Sequence, residues 1–522
     1  MPEYLAPGVY VEEFEIGAKP IEGVSTSTAG FLGLTERGPT EVKFVTSFAQ
    51  YQRIFGGYLE NSYLTYAVDG FFRNGGQRCF IGRVLKEDPD SNIPSKAELT
   101  LSPIEIVAIG EGDWGNGIGI LIENASLDDS TNPDIPKKNN IFKLTIGYWK
   151  DESKLYGSPL LSKDDLIEIA DYLEVFDNLS TDSTSSDYYE TKVNAISNLV
   201  RLSATDGGRP DNTGNFFIPL TGGLDGTSLK CDCFLGDTTA APGERSGLTA
   251  FKDVDEISIV YVADMHYLSD IDRNTLTDDV ITHCEKLKDR FAILDAPPNT
   301  TDLANLWPPK DSKYAAFYYP WIEVYDPLTK SNKQIPPGGY IAGIYARSDQ
   351  ERGVHKAPAN EIVRGVLKIE FNLSKADQAL LNPRGVNCIR SFIGRGIRVW
   401  GARTISSDSL WKYINVRRLF IYVEESIEEG TQWVVFEPND EKLWARVKQT
   451  IIAFLTRVWR DGALMGTKAE EAFFVKCDRS TMTQDDIDNG RLICVIGIAP
   501  VKPAEFVIFR IAQWTGGSAV TE

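Results

Sequence analysis

NDEKLWARVKQTIIAFLTRVWRDG, residues 439–462, is the most sharply defined element of this 522-residue sequence. Leu443, Val447, Ile451, Phe454, Leu455 and Val458 recur at helical spacing, which predicts a helix with one apolar face about five turns long. At about 100° per residue, Lys442, Arg446, Gln449, Thr456, Arg457 and Arg460 fall in a narrow stripe on the opposite face, with only Ala453 among them. Asn439 is placed to cap the start, Asp440 and Glu441 suit the positive end of the helix dipole, and Gly462 can close the last turn.

Downstream, residues 473–477, 491–498 and 505–514 are rich in β-branched and aromatic residues and separated by turn formers, which predicts three strands. In the last of them Phe506, Val507, Ile508, Phe509 and Ile511 are apolar on both faces, so the strand has to be covered although it lies at a chain end. Upstream, Val416, Leu419, Phe420, Val423 and Ile427 keep helical spacing, with Gly430 as a stop. At the other end of the chain Val9, Tyr10, Val11 and Phe14 form a short strand pattern behind Pro7 and Gly8, inside an arm of residues 1–25. Each terminal segment is a lone β-element that needs an edge. Spacing leaves two readings open: pairing within the chain's own domain, or exchange between subunits.

The length suits two to four domains with sizeable cores. No apolar run reaches the roughly 18 residues of a membrane-spanning helix, and MPEYLAPGVYVEE lacks the basic start and apolar centre of a signal peptide. A soluble protein made in the cytoplasm is expected. The net charge of -20 argues against nucleic acid as a partner, since phosphate binding needs clustered Lys and Arg. The seven cysteines are odd in number and scattered without a CxxC pair, which favours reduced structural thiols.

Between the ends, residues 26–90 mix strand and helix patterns, with helices expected over 48–55 and 63–72, and a polar linker follows around 88–100. Residues 100–220 read as a β-rich insertion with strands over 104–109, 118–122 and 142–148, a helix over 163–173 and a loop over 178–187. From 221 to 370 the pattern is α/β: 257–262 and 291–294 are buried strands flanking a helix over 278–287, and 314–319 and 340–344 are two further strand candidates. Residues 371–504 are expected to form a C-terminal domain and 505–522 a terminal strand.

The motifs for chemistry are weak. Gly110, Gly112 and Gly115 match GxGxxG, but GNGIGILIEN leads into another strand instead of a helix N-terminus, and Glu111 and Asp113 would repel a pyrophosphate. No GxxxxGK[ST] loop is present to drive work by ATP hydrolysis, and no GxSxG elbow supports a hydrolase. His266, His283 and His355 show no metal-site spacing. The residues therefore point to no catalytic group, metal or cofactor.

WGARTISSDSLWKYINVRRLFIYVEESI (400–427), FEPND (436–440), DGALMG (461–466) and APVKPAEFVIF (499–509) resemble the C-terminal domain of contractile tail sheath proteins, the outer cylinders of phage tails, R-type pyocins and extracellular contractile injection systems. NGGQRCFIGRV (74–84), GDWGNGIGI (112–120), TGGLDGT (221–227), DAPP (295–298) and PPGGYIAGIYARSDQERGVHKAPAN (336–360) are similar to other parts of the same family. The resemblance implies an α/β and α+β multidomain protein: a discontinuous inner sheath domain, a subtilisin-like α/β middle domain, an outward-facing insertion and strand arms at both ends. It implies a structural protomer that stacks in hexameric rings around an inner tube protein, beside baseplate and tail-terminator proteins and any sister sheath proteins, and contracts from a metastable extended state. It assigns inner-tube contact to Lys442, Arg446, Arg457 and Arg460, and inter-subunit strand exchange to Val9, Tyr10, Val11, Phe14, Phe506, Val507, Ile508, Phe509 and Ile511. On spacing alone the basic stripe would be a solvated face. The alternatives are an α/β hydrolase or another tail or baseplate component.

Overall fold

The computed structural model describes residues 20–87, 94–127, 140–156, 161–205 and 208–510. Residues 24–351 and 358–414 form one compact unit, and the remaining described residues, 20–23, 352–357 and 415–510, form a second.

The first unit is built on an eight-stranded sheet. Its strands are β1 (Ala29–Gly33), β2 (Lys43–Val45), β3 (Cys79–Arg83), β4 (Ile259–Val262), β5 (Phe291–Asp295), β6 (Ala315–Tyr319), β7 (Val386–Phe392) and β8 (Gly396–Val399). They lie in the order β8-β7-β6-β5-β4-β1-β3-β2, parallel throughout except for the two edge strands β2 and β8. Phe31 stands opposite Tyr261 on one side and Ile81 on the other. Every residue of β1, β4, β5 and β6 is buried, which is why these strands read as unbroken apolar runs: helices cover both faces of a parallel sheet.

Two of the helices in this unit are α1 (Asp270–Leu287) and α2 (Gly338–Arg352, whose last residue belongs to the other unit). Residues 340–344, expected as a strand, lie inside α2. Tyr340, Ile341, Ala342 and Ile344 are all buried, and a helix apolar all round has no stripe by which spacing could identify it. The glycines set how close it packs: a Cβ on Gly339 would fall 2.4 Å from the Cα of Ala67, and one on Gly343 2.5 Å from the carbonyl oxygen of Phe71.

The boundary expected at 371 also differs. Val386, Asn387 and Cys388 pair in parallel with Phe317, Tyr318 and Tyr319, so β7 and β8 belong to the large sheet, and the second unit begins at 415.

The insertion carries a four-stranded sheet and a three-stranded sheet packed around Ile106, Trp114, Ile120, Ile146 and Leu202. Its expected helix over 163–173 covers only Lys163–Glu168, and a strand, Tyr172–Ser180, follows and takes the first residues of the expected loop. The helix Tyr189–Ile196 and strand Val200–Ala204 had no counterpart in the pattern reading.

The second unit holds α3 (Ile414–Gly430, whose first residue belongs to the other unit), α4 (Glu441–Arg460) and an antiparallel hairpin of β9 (Phe473–Lys476) and β10 (Val495–Ile498). Leu419 and Val423 of α3, the apolar face of α4 and Phe473 and Val475 of β9 form one core, which also takes in Ile21 and Val354. Residues 505–510, expected as the start of a third strand, have no regular structure, because a strand exists only where another edge pairs with it. Val9, Tyr10, Val11, Phe14 and Ile511 lie outside the described residues.

Candidate functional site

The organising element of the second unit is α4. Asp440, one residue beyond the expected Asn439, is the N-cap, and its carboxylate accepts the Leu443 amide at 2.8 Å. Asn439 instead accepts the indole N–H of Trp444 at 2.7 Å. Gly462 takes φ +82° just past the end, as a helix stop requires. The six apolar residues read from spacing are all buried, worth on the order of 9–18 kcal/mol gross at roughly 1.5–3 each. That burial holds the opposite face outward.

Lys442, Arg446, Gln449, Arg457 and Arg460 are exposed along that face, and Thr456 is half-buried. None of the four cations has an acidic partner among the described residues. They are not equivalent, however. Arg446 lies over the ring of Trp433 at 4.7 Å, and Arg457 donates to the carbonyl of Ile21. These intramolecular roles were not legible in the stripe, because Trp433 and Ile21 lie outside the helix. Lys442 and Arg460 have no such role among the described residues.

The second feature is the chain end. Val501 is still tied to the unit: its amide donates to Ala463 O at 3.1 Å, and its carbonyl accepts from Asn415 Nδ2 at 3.2 Å. Beyond it Phe506, Val507, Ile508 and Phe509 are 70%, 69%, 78% and 84% exposed. Four consecutive large apolar side chains in water are far from the usual scatter of single exposed hydrophobes. The hairpin nearby is a two-stranded sheet, so each of its strands has an outer edge unpaired by a further strand among the described residues. Phe474 and Val495 on it are 51% and 43% exposed.

The large sheet presents the opposite picture where a ligand site would be expected. In open α/β sheets ligands bind beyond the carboxyl ends of the strands, where the strand order reverses. Here that point lies between β1 and β4, and Asp264 fills it. Its carboxylate accepts the Leu34 amide at 2.6 Å, the Tyr63 amide at 2.5 Å and the Ser62 hydroxyl at 3.0 Å. Burial raises Asp264 to about 6 against these hydrogen bonds. Beside it, Asp295 at the end of β5 accepts the Tyr261 hydroxyl at 2.7 Å and is pushed up to about 7, again by burial.

The GxGxxG stretch is likewise occupied by the protein itself. Gly112 (φ +126°) opens a short 3-10 turn that leads into the strand Ile118–Asn124. Its amides are spent on protein oxygens: Gly112 N on Ser95 O at 3.0 Å and Asp113 N on Asp225 Oδ1 at 3.2 Å. Arg83 braces the turn through Gly38 O and Glu111 O, both at 2.8 Å. Among the described residues no helix is long and apolar enough to cross a membrane.

Comparison with known proteins agrees with a surface built for assembly. The family models described as phage tail sheath protein central domain and phage tail sheath C-terminal domain match residues 243–405 and 406–513, together just over half of the chain. A putative prophage major tail sheath protein of Pseudomonas aeruginosa strain UCBPP-PA14 is 29% identical over 302 residues, covering 55% of this chain and 74% of that relative. Among solved structures, the contracted helical sheath of the anti-feeding prophage superposes with a TM-score of 0.57 at 25% identity, covering 97% of this chain and 99% of the other. The contracted sheath complex of the extracellular contractile injection system PVC matches in fold with the same TM-score of 0.57 at 22% identity, over 99% of both chains. The hydrolase alternative is not favoured. With a mixed α/β multidomain fold of the sheath type, the chain belongs to the contractile tail sheath family and is a structural sheath protomer.

Proposed function

We propose that this protomer stacks in hexameric rings around an inner tube and is joined to its neighbours by exchanged strands. Residues 506–511 of one copy, and residues 9–14 of another, add to the edges of a neighbour's β9–β10 hairpin. The observation that carries this reading is the run Phe506–Phe509, exposed in the single chain beside a hairpin with open edges. Strand addition would supply both things the run lacks, a hydrogen-bonding edge and an apolar cover.

The exposed face of α4 supplies the contact with the tube. Lys442 and Arg460 act through charge alone, whereas Arg446 and Arg457 divide their roles between the tube and their own unit. In the same reading the eight-stranded sheet is the subtilisin-like middle domain, the second unit is the inner sheath domain, and the insertion faces outward. Assembly takes place in the bacterial cytoplasm with the baseplate at one end and the tail terminator at the other. The energy for contraction is the difference in inter-subunit contacts between two packings of the same protomer, which needs no nucleotide.

Truncation after Ala504 tests the strand link. The shortened protein is expected to stay folded, with an unchanged thermal midpoint, and to form no cylinders in electron micrographs. Normal sheaths from the truncated protein would refute the exchange. Lys442→Glu with Arg460→Glu tests the tube face: loss of co-assembly with the tube is expected at low salt, with tube-free polysheaths intact.

A further inference from the structure

The loop that joins α3 to α4 carries a feature the sheath reading does not use. Val435 and Phe436 stand at its tip, 59% and 102% exposed. Phe436 has φ +69°, a conformation that crowds the side chain of any residue with a Cβ, and bulky residues most. The tip is nevertheless held in place. The Val434 amide donates to Thr431 O at 2.9 Å, the Val435 amide to Gln432 O at 3.2 Å and the Glu437 amide to Val434 O at 3.2 Å. Below it Trp433 packs on the core of the unit with Arg446 of the basic stripe over its ring. A fully exposed phenylalanine kept in a strained backbone on a braced loop gains nothing for the lone protomer, and strain of this kind marks a functional contact.

We infer that Val435 and Phe436 form an apolar knob that seats in a pocket on the inner tube, a pocket rimmed by carboxylates. The inference rests on the proposed tube-facing role of α4. Two observations tie the knob to the α4 face. It leads through Pro438 into the capping residue Asp440, so it sits at the N-terminal end of the stripe. Arg446 belongs to both, lining the stripe and bracing the loop. The exposed cations of the stripe call for an acidic surface immediately beside the pocket. The two parts divide the work. Charge contacts between flexible side chains attract without fixing a position, whereas a knob in a socket sets the axial register of the sheath on the tube and does not weaken in salt.

The test uses the full-length protein assembled with the inner tube of the same particle, at low salt and at about 1 M salt, where charge contacts are screened within roughly 3 Å. Phe436→Gly removes the knob and also relieves the backbone, so the protomer is expected to melt no lower than the parent. At high salt the sheath retained on the tube should fall about tenfold or more, the scale of burying one aromatic side chain. Polysheaths without a tube should form normally, and Phe436→Leu should recover part of the loss. Unchanged retention of Phe436→Gly at both salt concentrations would overturn the knob. Loss of tube-free polysheaths would also overturn it, by showing that the pocket lies on another copy of the chain. The Lys442→Glu and Arg460→Glu pair separates the two readings. If that pair co-assembles normally while Phe436→Gly fails, the charge contact and the carboxylate rim fall and the tube pocket for Phe436 stands; if only the pair fails, the knob falls and the stripe stands.

Discussion

The eight-stranded sheet and the C-terminal unit handle their polar and apolar groups in opposite ways. At the carboxyl ends of the parallel strands, where this architecture offers ligands a crevice, Asp264 accepts from the amides of Leu34 and Tyr63 and the hydroxyl of Ser62. Among the described residues the C-terminal unit leaves four large apolar side chains exposed, two hairpin edges unpaired by a further strand and a row of cations with no acidic partner. At its switch point the first region spends its polar groups on the protein itself, while the second keeps apolar side chains and cations at its surface. It is the second arrangement on which the proposed contacts between subunits and with the tube rest.

The contrast can be broken most severely at Asp264. Replacing it with Ala orphans two buried amides, and the expected loss is about 3–5 kcal/mol of stability, read as a shift in the denaturant midpoint at constant slope. A change below about 1 kcal/mol would mean that the crevice is not closed by this residue.

A smaller effect is expected from pH. Asp295 has its folded value raised to about 7 against about 3.9 in an unfolded chain, so the native state holds a proton that the unfolded state has released between those limits. Stability should therefore fall as pH rises from about 4 to 7, by about 1–3 kcal/mol, and Asp295→Asn should flatten that slope. A slope identical in the variant would assign the titration elsewhere, with Asp264, raised to about 6, as the next group to replace.

The smallest effect on the protomer belongs to the tail. Ile508→Lys should change the stability of the unassembled chain by less than about 0.5 kcal/mol, since the side chain is 78% exposed, yet it should prevent cylinder formation. A large loss of protomer stability would show that the tail packs on its own body after all.

The same contrast explains what could be read from the residues alone. The bounds of α4 were legible to within a residue or two because its apolar and charged faces differ sharply and its ends carry Asp440 and Gly462. The buried strands 259–262 and 291–295 were legible as apolar runs, yet the same signal misled at 340–344, where α2 is buried on every side and two of its glycines touch backbone. The strand Tyr172–Ser180 was hidden by its half-exposed, mixed composition behind a short helix. On the basic stripe the residue types and their exposure were legible. The second roles of Arg446 and Arg457 were not, because contacts made across 13 residues of sequence and across 436 leave no periodic trace. The knob at Phe436 was invisible for a different reason, since a positive φ at a residue other than glycine has no signature in composition.

Ile21 gives the architecture a mechanical meaning. Its side chain is fully buried in the core with α3 and α4, a Cβ on Gly430 would come within 2.6 Å of it, and its carbonyl is held by Arg457. A pull on the chain ahead of this residue therefore loads α4 directly. Under the proposed strand exchange, tension from an adjoining molecule would enter the C-terminal unit at this anchor.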